Sequence, residues 1–427
     1  MSEPRQGEGT LYLRRLTDVV HARLADEPVV ALQGPRTVGK STLLAEVARA
    51  YHARLLDLDD LATRDAVAAD PGLFVAGGDL VCVDEYQHVP VLLDAIKAEL
   101  NRDLRPGRFL LTGSTRSDAL PVAARALTGR MHSLTVHPLS QGEIRGVHEN
   151  FVATLFDDPS RIVAHGNLVA PSRAQVIEAI VAGGFPLAVS RSATARGRWF
   201  DDYLTQSLER DVRELARVRQ REQLPQLLRA LAGQTGQLLN VANAARKVRM
   251  DERTAESYTR LLEAVFLVYR LPAWGRTLRS RVSARPKLHI LDAGVAARLL
   301  RLTGSKLEQL DPAALTQFGH LLETFVVAEV LKQVSWLDGI AGVGHWRTHD
   351  GHEVDIVVER DDGAIIAIEV KASGRAGGDG LRGLRQLRAA CGDAFVAGVA
   401  LHLGPSAYAV EDRVLAAPVD RLWTEIQ

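Results

Sequence analysis

The stretch Gln33-Gly-Pro-Arg-Thr-Val-Gly-Lys-Ser41 decides how the N-terminal part of the chain folds. It fits the pattern G-x-x-x-x-G-K-[ST], in which backbone N–H groups and a helix N-terminus surround nucleotide phosphates. An apolar run over residues 28–33 precedes it, and a helix is expected from residue 40 to about residue 51. A buried strand, a glycine-containing loop and a helix, in this order, are the context that the motif requires.

The loop predicts a binding site for ATP and Mg2+. Lys40 would reach the β and γ oxygens of the nucleotide, and the Ser41 hydroxyl would bind the metal. Nine residues are expected to line the nucleotide: Gly34, Pro35, Arg36, Thr37, Val38, Gly39, Lys40, Ser41 and Thr42.

An acidic pair follows the next strongly apolar run. Residues 80–83 are expected to form a buried strand, and Asp84 and Glu85 stand at its end. Asp84 would hold the magnesium through water, and Glu85 would polarise the attacking water. The alternative is a chance glycine-rich turn and a surface acidic pair. Because both motifs occur in the expected order and context, the sequence predicts an ATP-hydrolysing enzyme.

A third apolar strand, over residues 109–111, ends in further polar side chains. Thr112 and Ser114 are candidates for contact with the γ-phosphate or the water, although a hydroxyl there can equally cap the next helix. Arg130 is a candidate finger that would reach the nucleotide of a neighbouring subunit, and Arg116 and Arg125 compete for that role. An arginine at such a position is more often a solvated surface residue.

Composition bounds the class of protein. The chain has 427 residues, of which 46% are hydrophobic and 24% charged, as in folded globular proteins of two to four domains. Lys+Arg and Asp+Glu both total 52, so a nucleic-acid or membrane surface would have to be local. The two cysteines, Cys82 and Cys391, are far apart, which favours a reducing compartment. With no apolar leader and no run of about 20 apolar residues, we expect a cytoplasmic protein without membrane spans.

The order of patterns predicts an α/β protein in four parts. Alternating strands and helices indicate a P-loop ATPase domain with a parallel sheet over residues 1–148. A helical lid or linker is expected over residues 149–225, a winged-helix-like domain over 226–287, and an α/β domain over 288–427. Possible sensor arginines, Arg210 or Arg213, lie in the linker, where an intrahelical ion-pair network is the plainer interpretation.

Basic residues concentrate in the third part. Helices are expected over 241–248 and 251–262, followed by a strand over 266–271 and a hairpin, which is the winged-helix layout. The basic side chains around the second helix are Arg246, Lys247, Arg249 and Arg253, and residues 270–287 add six more without an acidic residue. Together they are a candidate DNA-phosphate surface. A solvated helix face or a protein-binding winged helix is the alternative.

A second acidic constellation lies near the C-terminus. Asp355 falls on one predicted strand, and Glu369 and Lys371 share a face of the next, across the turn at residues 361–363. Adjacent carboxylates can bind a divalent cation, and the lysine can orient water or stabilise a transition state. Asp…Glu-x-Lys is the pattern of PD-(D/E)XK nucleases, and Glu323 on the preceding helix fits a further metal ligand, with Glu329 as second choice. A salt bridge on an exposed hairpin is the alternative.

The chain resembles a prokaryotic family of AAA-type ATPases that carry a C-terminal module of unassigned function, itself related to PD-(D/E)XK nucleases. The likeness covers the chain from about residue 11 to its end. It rests on the loop of residues 33–41 and on Val83-Asp-Glu85, Leu111-Thr-Gly-Ser114, His137-Pro-Leu-Ser140, Gly183-Gly-Phe-Pro186, Glu209-Arg-Asp211, Leu288-His-Ile-Leu-Asp-Ala-Gly294, Leu321-Leu-Glu323, Glu353-Val-Asp355 and Glu369-Val-Lys371. The resemblance implies ATP binding and slow hydrolysis in the cytoplasm.

Two hypotheses follow. The first is a magnesium-dependent ATPase that engages DNA and cuts it at Asp355, Glu369 and Lys371. The second is an ATP-controlled module that binds DNA or protein and whose nuclease-like domain is a non-catalytic scaffold. A P-loop phosphotransferase fits the acidic pair less well. The sequence leaves the oligomeric state open. A homo-oligomer such as an AAA-type ring is one candidate, and a monomer or a dimer is the alternative.

Overall fold

The structure, a computed structural model, describes residues 12–116, 127–164, 171–212, 221–277 and 284–427. Arg125 and Arg213 lie outside these residues. Within them, no helix has the length and apolar character to span a bilayer.

Five strands of the N-terminal part form a parallel sheet in the order β2-β3-β4-β1-β5. This confirms the predicted mixed α/β fold with a parallel N-terminal sheet. The strands are β1 Val29–Gln33, β2 Arg54–Asp57, β3 Val81–Asp84, β4 Phe109–Gly113 and β5 Met131–Thr135. The helices of this part are α1 Leu16–Asp26, α2 Lys40–Ala50, α3 Leu61–Ala69, α4 Pro71–Val75, α5 Leu92–Leu100 and α6 Gln141–Arg145.

Helices dominate the next stretch. They are α7 Phe151–Asp157, α8 Arg161–Ala164, α9 Arg173–Ala182, α10 Pro186–Val189 and α11 Ala193–Gln206, which continues as a π-helical turn over Ser207–Asp211. Trp199 and Tyr203 of α11 stack on each other, and Phe185, at the start of α10, contacts both rings at a tilt. This aromatic cluster packs the two helices together.

A small antiparallel sheet follows, with strand order β6-β8-β7. The elements in chain order are α12 Leu224–Ala232, β6 Gln237–Leu238, α13 Val241–Lys247, α14 Glu252–Ala264, β7 Val268–Leu271 and β8 Lys287–Ile290. The helices predicted over 241–248 and 251–262 correspond to α13 and α14, and the strand predicted over 266–271 corresponds to β7, with bounds that differ by up to two residues. The predicted boundary between residues 287 and 288, however, falls inside β8, because that strand pairs with both β6 and β7.

The C-terminal part is a six-stranded mixed sheet in the order β13-β14-β12-β11-β10-β9. Strands β9 to β11 form an antiparallel meander, and β12 then lies parallel to β11. The helices are α15 Ala293–Leu299, α16 Gly304–Leu307, α17 Pro312–Val334 and α18 Arg382–Cys391. The strands are β9 Ile340–Arg347, β10 Glu353–Arg360, β11 Ile365–Val370, β12 Phe395–His402, β13 Tyr408–Glu411 and β14 Val414–Pro418.

One continuous core joins the parts. The same cluster of buried side chains contains Leu44 of α2, Leu231 of α12, Phe325 of α17 and Ile368 of β11. Burying each such side chain stabilises the fold by about 1.5–3 kcal/mol. The parts are therefore packed on one another through apolar contacts, and the positions of their polar sites are fixed relative to each other.

Candidate functional site

The phosphate-binding loop lies at the carboxyl end of β1, which is flanked by β4 and β5 in the parallel sheet. Thr37 and Gly39 have φ values of 63° and 98°, and a Cβ atom on Gly34 would lie 2.3 Å from the Val136 carbonyl oxygen. The loop therefore needs glycine at Gly34 for close packing and at Gly39 for its left-handed backbone. Lys40 is 4% exposed, and its ammonium donates to the Gly34 and Pro35 carbonyl oxygens at 3.0 and 2.9 Å.

Arg14, which no sequence pattern marks, binds this loop through its guanidinium group. Its guanidinium donates to the Val38 carbonyl oxygen at 2.6 Å and to the His137 carbonyl oxygen at 2.7 Å. The same group pairs with Glu143 at 3.1 Å, and the Glu143 side chain is 1% exposed. The arginine thus ties the loop to the segment after β5. No local motif marks it, because its partners lie 24 to 129 residues away.

Asp84 ends β3 beside the start of α2. Its carboxylate accepts hydrogen bonds from the Thr112 and Ser41 hydroxyls. Burial raises the pKa of Asp84 overall, although these two hydroxyl donors partly oppose the rise. Ser41 and Asp84 together offer hard oxygen donors of the kind that Mg2+ prefers, so the residues fit the metal that the motif implies. The structure brings these two predicted residues together.

Glu85 follows directly, in a left-handed backbone conformation with φ 51°. Glu85 is 6% exposed, and its backbone N–H donates to the Thr112 hydroxyl at 3.0 Å. The Gln87 amide donates to Glu85 Oε2 and also to the Ser114 hydroxyl, the latter at 3.1 Å. Thr112, Ser114 and the acidic pair therefore meet at one edge of the sheet, beside the loop.

The candidate arginines lie in different places. Arg130 precedes β5, whose first residue pairs with Val29 at the start of β1, so it lies at the edge opposite the loop. It donates to the Asn101 side chain at 2.7 Å. Parallel strands place their starts and ends at opposite edges, so Arg130 lies away from the loop of its own chain. Its expected role as a finger toward a neighbouring subunit stays a prediction. Arg116 lies over the Phe266 ring, and Arg210 is 3.7 Å from Asp59, close to the carboxyl end of β2.

The C-terminal carboxylates surround a lysine. The Lys287 ammonium, from β8, donates to Glu323 Oε1 and Asp355 Oδ1, both at 2.8 Å. The Val370 N–H donates to the other Asp355 oxygen at 2.9 Å, and Lys371 pairs with Glu369 at 2.6 Å. Glu323, Asp355 and Glu369 are 8%, 5% and 6% exposed. The predicted residues therefore lie close together, and Glu323 and Asp355 both contact the ammonium group of Lys287.

The metal site at Glu323, Asp355 and Glu369 stays a prediction, and in the structure Lys287 pairs with the first two of these carboxylates. Among the described residues, no group of three or more His, Cys, Asp or Glu side chains is placed to hold a metal. The ammonium lies where the carboxylate oxygens of Glu323 and Asp355 would otherwise meet a cation. The second-choice ligand, Glu329, instead pairs with Lys332 and accepts from the Gln141 N–H.

Electrostatics agree with this description. Burial, and next the Asp355 carboxylate, raise the pKa of Glu323 well above its usual range and that of Glu369 to about 8. Burial alone would lower the pKa of Lys287, but Asp355 and Glu323 raise it overall. The lysine is therefore cationic, and it supplies the counter-charge that buried carboxylates need.

Some of the basic residues of the central part are exposed, and others are paired with carboxylates. Arg246, Lys247, Arg249 and Arg253 are exposed on and between α13 and α14. Arg270, by contrast, is paired with Glu256 and Glu263. Arg279 and Arg281 lie outside the described residues.

Comparison with known proteins agrees with the N-terminal geometry. Residues 26–145 match the family model described as "AAA domain". The matched residues contain the loop of residues 34–41 and the acidic pair Asp84 and Glu85, so this part of the chain is similar to an AAA domain. Residues 173–306 and 318–422 match two domains of unknown function, DUF8612 and DUF4143.

Individual relatives are distant. A protein of Mycobacterium tuberculosis, described as uncharacterized, is 28% identical over 402 residues, which is 93% of this chain and 81% of the relative. Among solved structures, the Walker-type ATPase of Pyrococcus abyssi is 16% identical with a TM-score of 0.41, covering 66% of this chain and 94% of that one. The RuvB Holliday junction branch migration motor of Thermotoga maritima is 17% identical with a TM-score of 0.28, covering 60% and 88%. At these TM-scores the two structures add nothing to the assignment.

Proposed function

We propose that the protein binds ATP with Mg2+ and hydrolyses it at the loop of residues 34–41. The observation that carries the proposal is the convergence of Lys40, Ser41, Asp84, Glu85 and Ser114 at one edge of the parallel sheet. Lys40 would exchange its two carbonyl acceptors for β- and γ-phosphate oxygens. Ser41 and Asp84 would hold the magnesium, which offsets charge on the phosphates when bound.

Hydrolysis would then be a single displacement. A water oxygen attacks the γ-phosphorus as the bond to the ADP oxygen breaks, and the water proton passes to Glu85 and from there to phosphate. Thr112 fixes both acidic residues, since it donates to Asp84 and accepts from the Glu85 N–H. Ser114 lies beside Glu85, where it can contact the γ-phosphate or the water.

For the C-terminal part, the proposal is a scaffold without nuclease activity. A helix, three strands, a helix and a strand, in the order α17-β9-β10-β11-α18-β12, support a nuclease-like fold. Lys287 argues against cleavage, because its ammonium already pairs with both Glu323 and Asp355. The protein as a whole would then be an ATP-controlled interaction module.

DNA is a candidate partner of this interaction module. The order α12-β6-α13-α14-β7-β8 supports a winged helix, and four exposed cations lie on and between its second and third helices. Arg246 and Lys247 end α13, and Arg249 lies two residues further on. Such a cluster would contact backbone phosphates and give salt-dependent binding without base specificity.

ATP hydrolysis is tested with the full chain. Steady-state phosphate release and ADP binding are measured with and without Mg2+ for the wild type, Lys40→Met and Glu85→Gln. The first variant should lose nucleotide affinity. The second should keep it and lose about 100- to 10,000-fold in kcat. Failure of the wild type to bind adenine nucleotides would contradict the proposal.

DNA binding is tested by fluorescence anisotropy over a salt series. A triple variant, Arg246→Gln with Lys247→Gln and Arg249→Gln, should bind more weakly, with a salt slope reduced by up to about 3. A matched variant of exposed cations in the ATPase domain, Lys97→Gln with Arg102→Gln, should bind as the wild type does. Metal-dependent cleavage that Asp355→Ala abolishes would refute the scaffold.

A further inference from the structure

Gln87 joins the two groups that hydrolysis would use at the γ-phosphate. It lies on the short turn Tyr86–His88 directly after Glu85. Its side-chain nitrogen donates to Glu85 Oε2 and is 3.1 Å from the Ser114 hydroxyl oxygen. The amide orientation is fixed by chemistry, because an ionised carboxylate can only accept and so must face the NH2 group.

The surroundings hold this side chain in place. A Cβ atom at Gly113, between Thr112 and Ser114, would lie 3.0 Å from the Tyr86 ring and 3.3 Å from Gln87 Oε1. Glycine at this position therefore leaves the space that Tyr86 and Gln87 fill. Glu85 and Ser114 are 6% and 1% exposed, so water does not supply the hydrogen bonds that Gln87 makes.

We propose that Gln87 is a positioning residue for ATP hydrolysis. Its amide would hold Glu85 Oε2, which leaves Glu85 Oε1 directed to accept the proton of the attacking water. Through the same amide it would set that carboxylate at a fixed distance from Ser114, and hence from the γ-phosphate. The inference rests on the proposed ATPase function. It adds that orientation of the base, separately from nucleotide binding, depends on this glutamine.

The test compares Gln87→Leu, which keeps the approximate size of the side chain and removes the donor, with a control. The same substitution at an exposed glutamine of α12, Gln226→Leu, serves as the control. Gln87→Leu should lower kcat by about 10- to 100-fold and leave KM for ATP and the affinity for ADP within about threefold. Thermal unfolding of both variants establishes that they are folded.

Two further readouts separate positioning from packing. In the Glu85→Gln background, Gln87→Leu should cost less than about twofold, because the group that it orients is already gone. Gln87→Glu introduces a carboxyl that can donate only when protonated. Its kcat relative to the wild type should therefore rise as the pH falls from 8 to 6, which a merely structural role would not produce.

The inference is overturned if folded Gln87→Leu hydrolyses ATP at the wild-type kcat, or if kcat and ADP affinity fall together. It is also overturned if the losses of Gln87→Leu and Glu85→Gln multiply. Should Gln87→Leu not fold, Gln87→Glu and its pH profile decide alone, with a flat relative profile counting against the inference. A wild type that binds no nucleotide defeats the proposed function first, and this inference with it.

Discussion

The ammonium nitrogen of Lys287 lies 2.8 Å from Oδ1 of Asp355. It lies at the same distance from Oε1 of Glu323. The three side chains come from β8, β10 and α17, so the small antiparallel sheet inserts a cation into the carboxylate cluster of the C-terminal sheet. This buried triad ties the central part of the chain to the C-terminal part.

Replacement of Lys287 by methionine should strongly destabilise the protein at pH 8. Glu323 and Asp355 would be left as buried carboxylates without a counter-charge, a loss of about 3–5 kcal/mol in the free energy of unfolding. The loss should shrink toward pH 5, because Glu323, whose pKa is raised in the folded state by burial and by Asp355, takes up a proton there. Urea denaturation at the two pH values measures it. The control is Lys97→Met, at an exposed lysine of α5, which should change the free energy of unfolding little. An equal loss at both pH values for the Lys287 variant would refute the account.

The part of this site that could be predicted is the part that depends on local pattern. Alternation along two strands and a turn between them place Asp355 near Glu369, and their register confirms a hairpin. Lys287 could not be found this way, since it lies 36 and 68 residues from its two partners. In the sequence it stands at the end of a basic stretch, which favours a solvated interpretation.

The nucleotide site was predictable for a related reason. Parallel strands bring their carboxyl ends to one edge, so motifs that follow β1, β3 and β4 must meet there. By the same rule Arg130, which precedes β5, lies at the edge opposite the loop, so its expected role is toward a neighbouring subunit. Arg14 escaped notice since it precedes α1 and belongs to no motif, and its role comes only from tertiary contacts.

Arg14→Met should lower both stability and nucleotide affinity. It would remove the counter-charge of the buried Glu143 and the donor to the Val38 carbonyl oxygen, at a cost of about 2–4 kcal/mol in unfolding free energy. Arg49→Met, at the exposed end of α2, is the matched control. In a double-mutant cycle with Glu143→Gln, we expect a coupling energy of about 1–3 kcal/mol. Independent effects of the two substitutions would show that the ion pair has no such role.

Gly34→Ala should impair the phosphate-binding loop, whereas the same change at Gly319 should not. A Cβ atom at Gly34 would lie 2.3 Å from the Val136 carbonyl oxygen, so the loop must shift. At Gly319, inside α17, nothing lies within 4 Å of the added atom. There alanine should stabilise the helix by about 0.5–1 kcal/mol. Thermal unfolding and ADP titration measure both variants, and wild-type ADP affinity in Gly34→Ala would contradict the close approach.

Glu149 should make stability fall as the pH rises through neutrality. The residue is 2% exposed, its Oε1 accepts from the Ser140 hydroxyl, and its Oε2 has no hydrogen-bond partner among the described residues. Burial raises its pKa to about 7, from 4.5 in an unperturbed chain.

Because the folded-state pKa is the higher one, the folded state binds the extra proton between these values. The stability that Glu149 contributes is thus fully present below about pH 4.5 and is lost as the pH passes through about 7. Glu149→Gln keeps a neutral acceptor for Ser140 and removes this titration. Urea denaturation at pH 5, 6, 7 and 8 should show the variant gaining on the wild type as the pH rises. A constant difference between the two proteins across that range would mean that Glu149 does not titrate there.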